Sequence, residues 1–168
     1  MILFARNQTY KRQHLAALIE KDRHLFENWT HDASIIPTEF YPVWKRKFER
    51  DGEMLRQRWQ KWRREGFEEI LDDILGHVKE NGPAMSRDLA SNEKKSNGGW
   101  WDWHPSKTAL EYLWRTGQLA VTRRENFQKV YDVCEMVIPY SHRTGKIKNS
   151  ELVDWCCRAA LDRLGLAT

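Results

Sequence analysis

One amphipathic helix stands out in the pattern of hydrophobic and polar positions, over residues 67–79. Its apolar positions recur at helical spacing and form a single stripe: Phe67, Ile70, Leu71, Ile74, Leu75 and Val78. Acidic residues occupy the opposite face, as expected of a helix that packs one side on a core. Asn81, Gly82 and Pro83 follow, and this combination predicts the end of the helix.

A second and a third helix are predicted downstream of it. Ser86 is suited to cap a short helix that runs to Ala90, and the polar residues 92–99 predict a loop. Ser106 is suited to cap the third helix, which ends at Gly117. The inner face of this helix is predicted to consist of Leu110, Leu113 and Trp114.

A β-hairpin is predicted after the third helix. Extended runs at 119–123 and 127–133 are joined by polar residues, and Asn126 tolerates the left-handed backbone of a tight turn. The order helix, turn, helix, loop, helix, hairpin over residues 67–133 is that of a winged helix-turn-helix. The expected fold class is therefore mainly α with short β-hairpins (α+β).

The two ends of the chain have less regular patterns. They predict a helix at 10–20, strands at 24–29 and 33–36, a helix at 38–48 and a basic helix at 53–64. Gly52 is expected to separate the last two helices, because glycine is a poor helix former. After Pro139, apolar residues at helical spacing predict a final amphipathic helix at 152–164.

Charge is distributed unevenly along the 168 residues, although the net charge is only +4 and the isoelectric point about 9.0. Residues 45–64 hold nine Lys/Arg against three Asp/Glu, whereas residues 65–90 hold two against seven. This alternation indicates one basic face suited to a polyanion and one acidic face exposed to solvent.

Cysteine content and hydropathy bear on the cellular compartment. The three cysteines, Cys134, Cys156 and Cys157, form neither a disulfide framework nor a C-x-x-C motif. No signal peptide is evident, and no run approaches the roughly 20 apolar residues of a membrane span. We therefore expect a cytoplasmic protein that does not enter a membrane and, in a bacterium, associates with the nucleoid.

The third helix and the hairpin supply the candidate DNA contacts. The start of a recognition helix faces base edges in the major groove, and a hairpin tip lies against the backbone. The predicted contacts are Ser106, Lys107, Thr108, Arg115, Arg123, Arg124, Gln128 and Lys129. The basic residues around Trp59 and Trp62 form a second candidate surface, in which both tryptophans are expected in the core. Solvated charge alone would also explain such surfaces.

Two further groups remain open to two interpretations. Trp100, Trp101 and Trp103 either pack under the third helix or stack on nucleobases. His31 and Asp32 are weak candidates for acid–base catalysis, and a hydrogen-bonded turn is the simpler role for them. The six histidines have no metal-ligand spacing and no phosphate-binding glycine loop occurs, so neither a metal nor a cofactor is expected.

Three motifs together resemble one enzyme family. They are Trp29-Thr30-His31-Asp32-Ala33, Gly99-Trp100-Trp101-Asp102-Trp103, and the run from Arg124 to Asp132. They are similar to the YcaQ/AlkZ group of winged-helix DNA glycosylases, which unhook interstrand crosslinks and remove bulky N-alkylated purines. The resemblance extends over nearly the whole chain. It implies tandem winged helices and N-glycosidic bond hydrolysis without a metal.

The resemblance also implies a division of the chain. Residues 1–66 would be the remnant of a first winged-helix region with basic linking helices. Residues 67–138 would be a winged-helix domain, and residues 139–168 the first helix of a following one. The last helix would lack its packing partners, so self-association through 152–164 is an expected property.

The family's water-positioning motif, Gln-x-Asp or Gln-x-Gln, does not occur in this sequence. The residues two positions after the six glutamines are Tyr10, Leu15, Trp59, Trp62, Ala120 and Val130. In the family the motif precedes the Leu-Phe-x-Arg stretch with which this chain opens. The chain is therefore expected to be an internal portion of such an enzyme, inactive by itself, that binds double-stranded DNA. The alternatives are a winged-helix transcriptional regulator and, less favoured, an RNA-binding module.

Overall fold

Helices dominate the computed structural model, which describes residues 5–62, 66–89 and 104–165. The helices in the first part are α1 (Arg12–Ala16), which continues as a π-helical turn (Ala17–Lys21), a 3-10 turn (Thr38–Phe40) and α2 (Tyr41–Trp62). The helices that follow are α3 (Leu71–Asn81), α4 (Ser86–Leu89), α5 (Pro105–Arg115), α6 (Cys134–Val137), α7 (Tyr140–Arg143) and α8 (Asn149–Leu164). None of the described helices is long and apolar enough to cross a membrane.

Two antiparallel hairpins complete the described structure. Strands β1 (Leu25–Trp29) and β2 (Ala33–Pro37) form one, and β3 (Leu119–Glu125) and β4 (Gln128–Val133) form the other. In the second hairpin, hereafter the wing hairpin after the wing predicted at this position, Glu125 faces Gln128 across the turn and Leu119 faces Val133. Asn126 has the left-handed backbone predicted for it, with φ +47°. The predicted fold class is confirmed.

The predicted break in α2 at Gly52 is wrong, since the helix runs without interruption from Tyr41 to Trp62. Gly52 lies against the end of α5, where its carbonyl accepts a hydrogen bond of 3.2 Å from the Tyr112 hydroxyl. Four apolar side chains of α2 are buried along the same helix: Tyr41, Phe48, Leu55 and Trp59. This burial outweighs the cost of about 1 kcal/mol for one glycine inside a helix.

The boundaries of α3 and α5 also differ from the predicted ones. Helix α3 begins at Leu71 rather than at residue 67, because residues 66–70 form turns, but Phe67 is still buried in the core. Helix α5 begins at Pro105 with His104 as its N-cap, so the predicted cap at Ser106 is wrong. Proline is well suited to the first helical position, since no hydrogen bond requires its missing N–H.

Two hydrophobic clusters hold the described elements together, and both cross residue 66. The larger cluster joins Leu55 and Trp59 of α2 to α3, α5 and the wing hairpin. The smaller one joins Phe26, Ile36, Tyr41 and Phe48 to α6 and its flanks, including Cys134 and Ile138. The first hairpin and α2 thus pack directly on the elements of residues 67–138. The three-part division of the chain stays a prediction.

Helix α8 contains no buried residue over its sixteen positions. Its main aromatic contact joins the Trp155 ring to the Phe40 ring at 5.0 Å between centroids. Leu152 and Trp155 of the predicted stripe are half-buried, whereas Cys156 and Leu164 are exposed. Gly165 ends the helix with φ +71°, as predicted. Self-association through residues 152–164 stays a prediction.

Candidate nucleic-acid interface

A pair of buried polar residues in β1 holds the end of α5. Glu27 and Asn28 are 4% and 2% exposed, in a strand whose other side chains are mainly apolar. The Trp114 indole donates a hydrogen bond of 2.9 Å to the Glu27 carbonyl, and the Asn28 amide donates one of 2.9 Å to the Trp114 carbonyl. These two bonds fix the C-terminal end of α5 against β1.

The carboxylate of the same Glu27 anchors the wing hairpin. It accepts hydrogen bonds from both Nε and Nη2 of Arg124, at 2.8 and 2.6 Å. These bonds raise the pKa of Arg124, more than partial burial lowers it. Arg124 also donates to the carbonyl of Phe127 at the hairpin tip. Arg124 was predicted to contact DNA; in this conformation its guanidinium fastens the hairpin to β1.

Lys129, on the returning strand of the hairpin, covers the buried indole of Trp114. Its Nζ lies 3.2 Å from the ring centroid. Burial lowers the pKa of Lys129 to about 8, although the carboxylates of Glu27 and Glu111 favour the charged form. The side chain therefore combines a packing role with a place on the surface described below.

We expect the stability of wild type relative to a Lys129→Met variant to rise with pH. The folded protein releases the Lys129 proton near pH 8, while the unfolded chain keeps it up to about 10.5. Between these values the wild type should gain about 1–3 kcal/mol over the variant in urea unfolding. Lys79→Met, at an exposed lysine of α3, controls for the loss of a lysine. A pH-independent difference would contradict the prediction.

Three of the predicted contacts on α5 face the protein in this conformation. Ser106 and Thr108 are 2% and 0% exposed. The Arg115 guanidinium lies 4.5 Å from the Trp29 ring centroid and 5.5 Å from that of Trp59, and it pairs with Glu111 at 3.7 Å. Stacking between two indoles gives Arg115 a packing role. DNA binding by these residues stays a prediction that would need a different arrangement.

The basic residues in the first part of α2, which precede the second candidate surface around Trp59 and Trp62, have partners within the protein. Lys47 and Arg50 pair with the buried Asp51, and Arg46 pairs with Glu49 at 3.2 Å. Lys45 donates to the backbone carbonyls of Arg143, at the end of α7, and of Gly145, just after it. The expected burial of Trp59 is confirmed, while the Trp62 side chain lies outside the described residues. The excess of basic residues therefore overstates the charge that the first part of α2 presents.

A cavity between α4, α5 and the wing hairpin gathers cations on one surface. Its volume is about 490 Å³, and we call it the cationic cavity. Among the described residues that line it, four Lys/Arg side chains stand against one carboxylate: Arg87, Lys107, Arg124 and Lys129 against Glu111. Lys107 is exposed, as is the predicted contact Gln128. A polyanion would meet these cations on one surface, where Arg124 already pairs with Glu27, and Arg87 with Asp88 and Glu125.

A second cavity lies on the other side of the hairpin, with a volume of about 470 Å³. Its described walls come from α1, β2 and the hairpin, and they include Leu15, Ile19, Ile35 and Val121. Arg123, another predicted contact, lines it and pairs with Glu125 at 2.7 Å, half exposed. This side of the hairpin is more apolar than the cationic cavity.

The two weak catalytic candidates lie in the turn of the first hairpin. His31 and Asp32 are both exposed. The Asp32 carboxylate accepts a 2.7 Å hydrogen bond from the backbone N–H of Ala33, and its carbonyl accepts one of 2.9 Å from Thr30. These bonds favour the turn interpretation. Within the described ranges, no group of three or more His, Cys, Asp or Glu side chains is placed to hold a metal ion.

The tryptophan motif lies outside the described residues, whereas two features of the site were missed by the sequence interpretation. The motif comprises Trp100, Trp101 and Trp103. The missed features are the buried pair Glu27 and Asn28 and the exposed ring of Phe127. The signal for the pair was two polar residues in succession inside an apolar strand. Phe127 was assigned to a strand rather than to the turn.

Comparison with known proteins identifies the family. No solved structure matches this chain. A family model described as DNA glycosylase AlkZ-like matches residues 1–168. This match confirms the resemblance inferred from the three motifs. Because it covers every residue of the sequence, the chain belongs to the AlkZ-like DNA glycosylase family.

Proposed function

We propose that this chain is the duplex-binding, winged-helix portion of a DNA glycosylase that excises alkylated or crosslinked purines by hydrolysing the N-glycosidic bond. DNA is the substrate or partner implied by the family. The observation that carries the proposal is the cationic cavity, formed beside the wing hairpin on a chain of this family. Membership of a glycosylase family favours this function over an operator-reading regulator.

The order of elements supports the winged-helix assignment. Helices α3, α4 and α5 are followed directly by the wing hairpin. Ala84, between α3 and α4, forms an antiparallel bridge with Tyr131 of β4, with reciprocal N–H···O bonds of 2.9 Å. This bridge adds a third, single-residue strand to the hairpin. The arrangement sets the first residues of α5 beside the hairpin, where the backbone of a duplex would pass.

Binding to duplex DNA is expected to be weak, largely independent of sequence and steeply dependent on salt. With about five phosphates neutralised, log K should fall against log salt with a slope of about −4 to −5. Replacing Arg87 and Lys107 together by alanine should reduce that slope by about 2 units. Fluorescence anisotropy of a labelled random duplex at several salt concentrations measures it.

A variant with the same loss of charge tests the location of the interface. Lys146→Ala with Arg158→Ala removes two exposed cations from the segment before α8 and from α8. Neither residue is among those described as lining the cationic cavity. This variant should keep the wild-type slope. Equal effects of the two double variants would place the interface elsewhere, and strong sequence preference would favour the regulator.

Excision by this chain alone is expected to stay at background. Hydrolysis requires a group within hydrogen-bond reach of the attacking water. None of the six glutamines falls in a Gln-x-Asp or Gln-x-Gln motif. His31 and Asp32 are exposed in a turn, where the Asp32 carboxylate accepts a hydrogen bond from the backbone N–H of Ala33. Loss of such a group costs orders of magnitude in rate.

The assay uses a labelled duplex that carries one N7-alkylguanine, incubated with the chain and then treated with alkali. The expected result is no strand scission above the protein-free control. Release of the alkylated base by the wild type that disappears in both His31→Ala and Asp32→Ala would contradict the prediction and make this turn the catalytic centre. Binding measured on the same duplex keeps a lack of chemistry separate from a lack of association.

A further inference from the structure

The tip of the wing hairpin presents an aromatic ring to solvent. Phe127 is 85% exposed, more than any other large hydrophobic side chain among the described residues. A phenyl ring ordinarily contributes to a core, so full exposure brings no folding benefit. The neighbours of Phe127 in the turn, Asn126 and Gln128, are exposed and polar. The ring therefore projects alone from a polar tip.

The backbone of the tip is unfavourable for phenylalanine. Phe127 has φ +67°, following Asn126 at φ +47°. Two residues with positive φ are the mark of a tight hairpin turn in which glycine is the favoured second residue. A bulky side chain in this region is a strained choice, and such strain clusters at functional positions. Folding alone would be better served by glycine at position 127.

The tip is held firmly despite its exposure. The Arg124 guanidinium donates a hydrogen bond to the Phe127 carbonyl and is itself fixed by the buried carboxylate of Glu27. The hairpin strands pair up to Glu125 and Gln128 at the turn, with one register shift between Val121 and Arg123. The ring is thus supported from the core through a chain of charged hydrogen bonds. A side chain supported in this way can keep its position when it contacts another molecule.

A cavity lies on each side of the Phe127 ring. Phe127 lines the cationic cavity and also the second cavity, so it forms the rim between them. On the cationic side, the exposed Lys107 can meet a phosphate, and Arg124 and Lys129 line the same cavity. The surroundings of the ring therefore favour a nucleic acid over an apolar protein surface.

We propose that Phe127 is a wedge that inserts between adjacent base pairs of duplex DNA and unstacks a weakened step. The inference rests on the proposed duplex binding and adds a residue that senses the lesion. Apolar side chains inserted at a base step unstack it and kink the duplex. The cost of opening is smallest where a base is damaged or mispaired, so the wedge selects such steps.

The test uses two duplexes of one sequence, with and without a single mismatch, each carrying 2-aminopurine beside that position. Unstacking increases the fluorescence of this base. Wild type should bind the mismatched duplex about tenfold more tightly than the matched one, and should increase its fluorescence at saturation. Phe127→Ala should lose both the preference and the increase, while its affinity for the matched duplex changes less than about twofold.

Three further variants keep the test independent of folding. Phe127→Trp should retain the preference, because it keeps a large aromatic wedge. Tyr140→Ala removes another exposed aromatic side chain, on α7, and should behave as wild type. Phe127→Gly should lose the preference although it relaxes the turn, so lost stability cannot explain its behaviour.

The outcomes separate this inference from the proposed function. Binding with equal affinity for both duplexes, or a preference that survives in Phe127→Ala and Phe127→Gly, would overturn the wedge and leave duplex binding intact. Failure of wild type to bind either duplex in the anisotropy measurement would overturn both. A preference carried by Tyr140 would also exclude Phe127.

Discussion

Replacing Gly117 with alanine is expected to destabilise the protein by about 3 kcal/mol. Gly117 follows α5 with φ +77°, a conformation that costs an alanine about 1–2 kcal/mol. An added Cβ would also lie 2.6 Å from Cε2 of the Phe48 ring, well inside van der Waals contact. Phe48 is buried on α2 and cannot swing out freely. Urea unfolding of the variant measures the loss.

The matched control is Gly76→Ala, inside α3. A Cβ there meets no atom within 4 Å, and no positive φ is involved. Alanine should stabilise the protein by about 0.5–1 kcal/mol through helix propensity. Adding Phe48→Leu to Gly117→Ala should recover part of the loss, because the two sites touch. Equal effects of the two glycine substitutions would contradict both the positive φ of Gly117 and its close contact with Phe48.

Replacing Arg124 with alanine is expected to destabilise the protein by about 2–3 kcal/mol. The substitution leaves the Glu27 carboxylate, whose side chain is 4% exposed, without the guanidinium that bonds both its oxygens. Breaking a buried ion pair costs about 3–5 kcal/mol, and solvent screening lowers this cost here because the Arg124 side chain is 39% exposed. Loss of the bond to the Phe127 carbonyl should also loosen the hairpin tip.

The adjacent Arg123 offers a control with the same charge and the same hairpin. Both Arg123 and its partner Glu125 are about 40% exposed, at 40% and 39%. Arg123→Ala should therefore cost less than about 1 kcal/mol. Combining Arg124→Met with Glu27→Gln should restore most of the stability, because neither variant side chain is charged. A similar loss in Arg123→Ala and Arg124→Ala would refute the anchoring role of Glu27.

The Arg124 prediction bears on how DNA binding is mapped. Weaker binding by an Arg124 variant would mix a lost phosphate contact with a loosened hairpin. Arg87 and Lys107 are better probes, since they line the cationic cavity from α4 and α5 rather than from the hairpin itself. A wedge at Phe127 depends on the same anchor, so Arg124→Ala should also weaken mismatch preference.

Features set by neighbouring residues were determined by the sequence alone. The stripe of α3, the buried face of α5 and the positions of both hairpins follow from periodicity and turn chemistry. Gly117 and Asn126 were both assigned correctly, since a positive φ is a local requirement. The three motifs, read as local strings, also indicated the family that the whole chain matches.

Features set by distant partners were decided only by the tertiary structure. Helix α2 continues through Gly52 because its apolar side chains are buried against distant elements, and Tyr112 of α5 bonds the Gly52 carbonyl. Arg124 is separated by 97 positions from the carboxylate that binds it, and Arg115 stacks on indoles of two other elements. The sequence around a basic residue does not indicate whether its charge contacts a carboxylate, an indole or solvent. That choice depends on which segments the hydrophobic core brings together.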